Sequence, residues 1–293
     1  MSGQPRHAMA AQEAFTFGIL GCGNMGGAFA RGILAHETLN ASFSLIVHDP
    51  NEKAMLAIRE MGAQAVHSAT ELAAQAEIIM LAVKPQYVPG VLAQIAPILS
   101  ENAKNSDGRT KVVLSIAAGV PLAKLREGTG GVCPVVRVMP NILVEVGQGL
   151  FALCFDKVGL PLDETHKEAV RGLLAGLGHV VEMEEDKINA FTALAGSGPA
   201  YVYYFMDSLA EAGVSIGLTR EQAVRIAQGL VKGSAILAET VGEHPVILRE
   251  QVSSPAGTTV AGLNHLDRQA VRGHIIDAVI AAHNRALAMD KGT

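Results

Sequence analysis

Phe15-Thr16-Phe17-Gly18-Ile19-Leu20-Gly21-Cys22-Gly23-Asn24-Met25-Gly26 decides the fold. A short apolar run, Phe15–Leu20, ends in a glycine turn, and Asn24–His36 then reads as a helix. The run does not alternate apolar with polar, which suits a strand covered on both faces. The turn has the form G-x-G-x-x-G. Gly21 permits a tight turn, Gly23 lets the backbone approach a pyrophosphate with no Cβ in the way, and Gly26 lets the helix lie close to the strand. Asn24 and Met25 open the helix, whose free N–H groups and partial positive charge face an anion. The pattern alone is weak, but its place between a strand and a helix makes it specific. Cys22 reads as a small residue that fits, with no resolving cysteine nearby in sequence.

Outward from this turn, strand-like and helix-like segments alternate. Strands are expected at 43–48, 64–66, 78–83, 111–116, 135–139, 150–155 and 179–183, and helices at 51–61, 70–75, 86–99, 121–126 and 163–177. Short connections between them predict a doubly wound α/β sheet. The texture changes after Glu184. Strand signals stop, and long helical stretches cover 187–212, 219–240 and 268–289, the second opening with a capping box at Thr219–Gln222. The expected organisation is a tail at 1–14, a dinucleotide-binding domain at 15–184 and an all-helical domain at 185–293. The polar stretch Ser100–Thr110 reads as an exposed loop.

Composition narrows the class. Of 293 residues 49% are hydrophobic, 17% charged and 4% aromatic, with 31 glycines and no Trp, so an aliphatic, closely packed core is expected. A net charge of −5 leaves no basic footprint for nucleic acid. Three cysteines make no disulfide framework and point to the cytoplasm. The first residues lack an apolar signal core, and the longest apolar run near the middle, Ile78–Val83, is six residues where a membrane span needs about 20. The helical half carries too many apolar positions for exposed single helices, which favours burial against a second subunit.

Further residues point to a cofactor. Asp49 ends the second strand, where an acid accepts both ribose hydroxyls of NAD and repels a 2′-phosphate; it can equally cap the next helix. Ligands in open parallel sheets bind beyond the strand carboxyl ends, so Val83, Lys84 and Pro85, and Ala117 in Ser115–Gly119, are expected to face the cofactor. Asn141 either holds the nicotinamide carboxamide or ends its strand in a turn.

Two segments of the helical half stand out. In Val252–Leu263, Pro255 stops one element, Gly257 turns the chain, and Thr258 and Thr259 start a helix whose unpaired N–H groups suit a carboxylate. In Leu194–Tyr201, Gly196, Gly198 and Pro199 interrupt an apolar helix at an expected cost of several kcal/mol, which asks for a packing or functional reason.

Together GCGNMG at 21–26, AVKPQ at 82–86, SIAAG at 115–119, RVMPN at 137–141, ALAGSGPAY at 193–201 and VSSPAGTTVAGL at 252–263 resemble the pyrroline-5-carboxylate reductases, in that family's order and over roughly residues 15–290. The resemblance implies a Rossmann-type domain, a helical domain that intertwines into a dimer and often a decamer, and reduction of (S)-1-pyrroline-5-carboxylate to L-proline with NADPH or NADH. It implies that Ser254, Pro255, Ala256, Gly257, Thr258 and Thr259 grip the substrate carboxylate, that Gly198 and Pro199 line the substrate, and that Thr259 lies near the ring nitrogen. Two departures stand out. Ala256 replaces the family's usual second glycine, so its φ is expected to suit alanine, and Asp49 stands where members often accept a 2′-phosphate.

The chemistry asks little of the protein, because a protonated C=N is already electrophilic. No strong general acid emerges; Glu243 and His244 are weak candidates. No metal is expected: His265, His274 and His283 are nine residues apart, which puts neighbours on opposite helix faces. Two rival readings are a 3-hydroxyacid dehydrogenase, for which Lys187 and Lys232 lack a supporting motif, or another cyclic-imine reductase. A third is a non-catalytic NAD(P)-sensing regulator, which has no use for the Thr-rich loop.

Overall fold

The computed structural model describes residues 14–101 and 110–290. Most of the expected tail at 1–14 and most of the expected loop at 100–110 lie outside the described residues. The elements in chain order are β1 (Phe15–Leu20), α1 (Asn24–Ala35), α2 (Glu37–Ser42), β2 (Phe43–His48), α3 (Glu52–Glu60), β3 (Gln64–Ala65), α4 (Ala69–Gln75) and β4 (Ile78–Leu81). They continue with α5 (Val88–Glu101), β5 (Val112–Ser115), α6 (Leu122–Gly128), β6 (Val135–Met139), β7 (Gly149–Phe155), α7 (Glu164–Ala175) and β8 (Gly178–Glu182). The helical part comprises α8 (Ile188–Phe191), α9 (Gly198–Ser215), α10 (Arg220–Val241), α11 (Pro245–Gln251), α12 (Thr258–Arg268) and α13 (Val271–Asp290).

The strands form one sheet in the order β3-β2-β1-β4-β5-β6-β7-β8. Leu20 pairs with His48 on one side and Leu81 on the other, and Leu81 pairs with Ser115. The turns after β1, β2, β4 and β5 therefore leave the sheet at one edge. Apolar runs serve both faces: Phe17, Ile19 and Met80 pack with Phe29, Phe151 and Leu173, while Leu20, Ile79 and Leu81 pack with Leu72, Leu92 and Leu125. This is the doubly wound architecture, with one departure from a parallel sheet: β7 runs antiparallel to β6. Residues 140–148 between them hold only a 3-10 turn at Ile142–Val146, too short for the dozen or so residues of a crossover.

Two compact units divide the chain, one reaching Thr192 and including the end of α13 from Ala286, the other Ala193–Arg285. The residues after β8 that stay with the sheet are held both by apolar packing, with Ile188 buried in the core, and by charge. Buried Arg137 on β6 donates to Glu185 Oε1 at 3.0 Å and pairs with Asp290 Oδ1 at 3.8 Å, and Asn189 Nδ2 donates to Asp290 Oδ2 at 2.6 Å.

In the second unit the capping box forms as read: Thr219 accepts from the Gln222 N–H, and Gln222 accepts from that of Thr219. Its buried centre is small, Ala210, Ala223 and Ala227, and Gly213 lets α9 and α10 meet closely there. The expected continuous helix at 187–212 is instead α8, a π-turn at Thr192–Gly196, and α9. Pro199 lies in the first turn of α9, where a missing N–H costs nothing, so the expected interruption penalty does not arise. Large apolar side chains stand exposed on α9, α10 and α13, among them Tyr204 at 78%, Leu230 at 54% and Ile275 at 55%.

Candidate active site

The glycine turn has the geometry its sequence dictates. Gly21 sits at φ +102°, in the region that favours glycine, and its N–H donates to His48 O at 2.9 Å. A Cβ on Gly26 would overlap the Gly21 carbonyl, so α1 lies against the turn only because that residue is glycine. At Gly23 a Cβ would meet nothing within 4 Å. That opening fits a pyrophosphate. Gly23 is the N-cap of α1, makes no side-chain cap, and no acid occupies the first turn. The N–H groups and dipole of a 12-residue helix thus face the space beside Gly23. The turn lies where the strand order reverses, between β1 and β4.

Asp49 takes part directly. Its Oδ2 accepts the Cys22 N–H at 2.7 Å and its Oδ1 accepts the Asn51 N–H at 2.8 Å. Of the two roles open to it, helix capping goes elsewhere: the N-cap of α3 is Asn51, whose side chain accepts from Lys53 N–H. Burial and the Asp49 charge push the Cys22 thiol up to about 12, so Cys22 is a packed, unreactive residue.

The later turns gather near the same edge. Ala82 and Val83 stand directly against Gly21, exposed Lys84 caps a 3-10 turn, and Pro85 occupies that turn's first residues. Ser115 Oγ accepts the Ala117 N–H at 3.2 Å, fixing a buried small-residue turn after β5. Asn141 is buried; its Oδ1 accepts from Leu143 N–H at 3.2 Å and Leu150 N–H at 3.1 Å, ending β6 and starting β7. Of the two roles open to Asn141, this is the turn-forming one.

Some members of the site's frame have no local sequence signal. Arg31 of α1 donates to both oxygens of Glu145, at 2.7 and 2.9 Å, tying the 3-10 turn after β6 to the helix that follows the glycine turn. Glu185 Oε1 accepts the Leu122 N–H at 2.7 Å as well as Arg137. A cavity of about 510 Å³ lined by Phe15, Leu39, Phe43, Glu164 and Glu168 lies at the amino ends of β1 and β2, the edge away from the glycine turn.

In the second unit, α12 starts at Thr258 with Gly257 as N-cap and no side-chain cap, so the amides of Thr258 and Thr259 head an 11-residue helix uncapped. Ahead of it Ser254 O accepts the Gly257 N–H at 3.0 Å, closing a turn with Pro255 and Ala256 at its centre. Ala256 has φ +57°, which overturns the expectation that its φ suits alanine. Proline at the first central position and positive φ at the second are the signature of a type II turn, which wants glycine at that second position. A Cβ on Gly257 would crowd Ser254, overlapping its Oγ and lying 3.0 Å from its carbonyl oxygen. Gly198 and Pro199 open α9 after the π-turn, and a Cβ on Gly198 would meet nothing within 4 Å.

Among the described residues no group of three or more His, Cys, Asp or Glu is placed to hold a metal ion, and no helix is long and apolar enough to cross a membrane.

Comparison with known proteins agrees along the chain. Residues 185–289 match the family model described as pyrroline-5-carboxylate reductase dimerisation, and residues 16–119 the model described as NADP oxidoreductase, coenzyme F420-dependent. The pyrroline-5-carboxylate reductase of Corynebacterium melassecola is 34% identical over 276 residues, covering 94% of this chain and 99% of that protein. That of Aquifex aeolicus is 36% identical over 269 residues, covering 92% and 95%. The crystal structure of Plasmodium falciparum pyrroline carboxylate reductase with NADP bound superposes with a TM-score of 0.82 at 32% identity, covering 95% of this chain and 99% of that one.

Proposed function

The chain belongs to the pyrroline-5-carboxylate reductase family and is an NAD(P)H-dependent oxidoreductase that makes L-proline from 1-pyrroline-5-carboxylate; from that premise we propose which of its residues serve the reaction. The helical segment also self-associates. We take residues 15–184 as the dinucleotide half, 185–293 as the substrate and dimerisation half, and 1–14 as a tail.

Gly21, Gly23, Asn24, Met25 and Gly26 hold the pyrophosphate through backbone N–H groups and the α1 dipole. Asp49 faces the adenosine ribose. Val83, Lys84, Pro85 and Ala117 border the dinucleotide at the sheet edge, and Asn141 acts by fixing the turn after β6. When bound, the nicotinamide supplies the hydride that reduces the C=N bond.

The observation that carries the substrate assignment is the uncapped start of α12 behind a rigid Ser254–Gly257 turn. Its amides and the hydroxyls of Thr258 and Thr259 bind the carboxylate of the imino acid. Ser254, Pro255, Ala256 and Gly257 set the turn that aims them, and Gly198 and Pro199 border the substrate ring. Thr259 hydrogen-bonds the ring nitrogen. The iminium enters already protonated, so the chain's task is to anchor, orient and exclude water rather than to donate a strong acid.

Thr259→Ala lowers kcat/KM for pyrroline-5-carboxylate roughly tenfold or more, a loss of about 1.4 kcal/mol. Wild-type kinetics in that variant would remove Thr259 from the site. The exposed apolar faces of α9, α10 and α13 support a dimer, and we propose that dimers assemble further into a decamer, which light scattering measures. Three free, buried cysteines support placement in the cytoplasm.

A further inference from the structure

We infer that Asp49 makes this enzyme select NADH over NADPH. The inference rests on the proposed dinucleotide site and deepens it. Asp49 follows the last residue of β2, one strand from the glycine turn. Its carboxylate is held on two sides by backbone: Oδ2 by the Cys22 N–H inside the turn at 2.7 Å, Oδ1 by the Asn51 N–H ahead of α3 at 2.8 Å. It cannot swing away without giving up both bonds.

A carboxylate offers about four acceptor sites, and these two bonds use one on each oxygen. One site on each oxygen remains. A ribose with free 2′- and 3′-hydroxyls presents two donors to a half-buried anion, a match in number and in charge. A 2′-phosphate removes one donor and adds roughly −1.5 to −2 of charge beside a carboxylate that is pinned in place. Nothing in the following segment compensates. Pro50-Asn51-Glu52-Lys53 contains no Arg, and exposed Lys53 is neighboured by Glu52. The Plasmodium falciparum relative carries NADP in its crystal structure, so the NADH preference is inferred for this chain from Asp49 and its two backbone bonds and not from kinship.

The test is equilibrium binding to the full-length protein, followed by the fluorescence of the reduced nicotinamide and by calorimetry, with NADH and NADPH in turn. The wild type is expected to bind NADH at least tenfold more tightly. Asp49→Asn keeps one neutral acceptor for the Cys22 N–H and removes the charge. It is expected to shrink the NADH-to-NADPH ratio at least tenfold while its circular dichroism and unfolding midpoint stay near wild type. Asp49→Ser repeats the comparison should the Asn variant not fold. Wild-type protein that binds NADPH as tightly as NADH overturns the inference, as does an unchanged ratio in a folded variant. If neither dinucleotide binds the wild type, the proposed site itself fails, and this inference with it.

Discussion

Replacing Gly23 by alanine adds one methyl group at the N-cap of α1, and the structure separates its effect on folding from its effect on binding. The backbone there has φ −66°, ordinary for alanine, and the new Cβ meets no atom within 4 Å. Removing a glycine favours the folded state by about 0.4–1 kcal/mol, while alanine is a poorer N-cap than glycine by a similar amount. Unfolding free energy should therefore change by less than about 0.5 kcal/mol. Binding is different, because the methyl stands in the opening through which a pyrophosphate reaches the first-turn amides. Loss of one charge-assisted hydrogen bond costs about 1.5–3 kcal/mol, or roughly 10- to 150-fold in Kd. Gly26→Ala, in the same turn, should behave in the opposite way. Its Cβ overlaps the Gly21 carbonyl and sits 2.9 Å from Ala82 Cβ, so α1 must move off β1, at about 1–3 kcal/mol of overpacking or more. Chemical unfolding followed by circular dichroism, paired with NADH and NADPH titrations, measures both quantities. A Gly23→Ala protein that binds within threefold of wild type, or that loses as much stability as Gly26→Ala, refutes the reading of the turn.

Ala256 at φ +57° and Ala270 at φ +53° each hold a left-handed backbone that costs alanine about 1–2 kcal/mol, so either residue changed to glycine should raise stability by up to about 1 kcal/mol after glycine's unfolded-state entropy is subtracted. Only Ala256→Gly should alter KM for the imino acid; identical kinetics in the two variants would refute a role for the Ser254–Gly257 turn in binding. Burial raises Cys22 to about 12 and Cys133 and Cys154 to about 11, so iodoacetamide at pH 8 should leave all three unlabelled in the native protein and label all three in denaturant. Thiols protonated in the fold ionise first in the unfolded chain, so their contribution to stability is complete below about pH 9 and lost as pH rises towards 11–12. A triple Cys→Ala variant should show a shallower alkaline loss, and an equally steep one would count against it. Lys111 is fully buried, donates to Ala74 O at 2.9 Å and Ala76 O at 2.7 Å, and neighbours Glu77; Lys111→Met should cost about 3–5 kcal/mol in urea unfolding, and a loss under about 1 kcal/mol would remove it as a structural cation.

What local sequence could and could not show divides along separation in the chain. The glycine turn, the two-faced apolar strands and the capping box at Thr219 involve neighbours within a few residues, where steric and hydrogen-bond rules act directly, and each formed as read. The antiparallel β7 followed from the length of a connection that looked like any other loop. Helix α2 shares its cap His36 with α1 and runs straight into β2, so no turn residue sets it apart in the sequence; nothing in the structure explains why the seven-residue α11 carries no signal. The bonds that frame the site span 27 residues from Asp49 to Cys22, 48 from Arg137 to Glu185 and 114 from Arg31 to Glu145. No pattern along the chain announces such pairs; the sheet order creates them.

Ala256 marks the sharper limit, because the local rule itself pointed the wrong way. Alanine in place of glycine suggests a relaxed φ, yet the turn keeps φ +57°. The neighbours explain why. Pro255 fixes one central position of the turn, and Ser254 O and the Gly257 N–H close it at 3.0 Å. Two constraints set one torsion, and a methyl group worth about 1–2 kcal/mol does not outvote them. Strain survives in a protein only where its surroundings enforce it. Here the enforced conformation is the one that leaves the amides of Thr258 and Thr259 uncapped at the head of α12. The residue that breaks the local preference thus sits in the turn whose geometry the proposed carboxylate site requires.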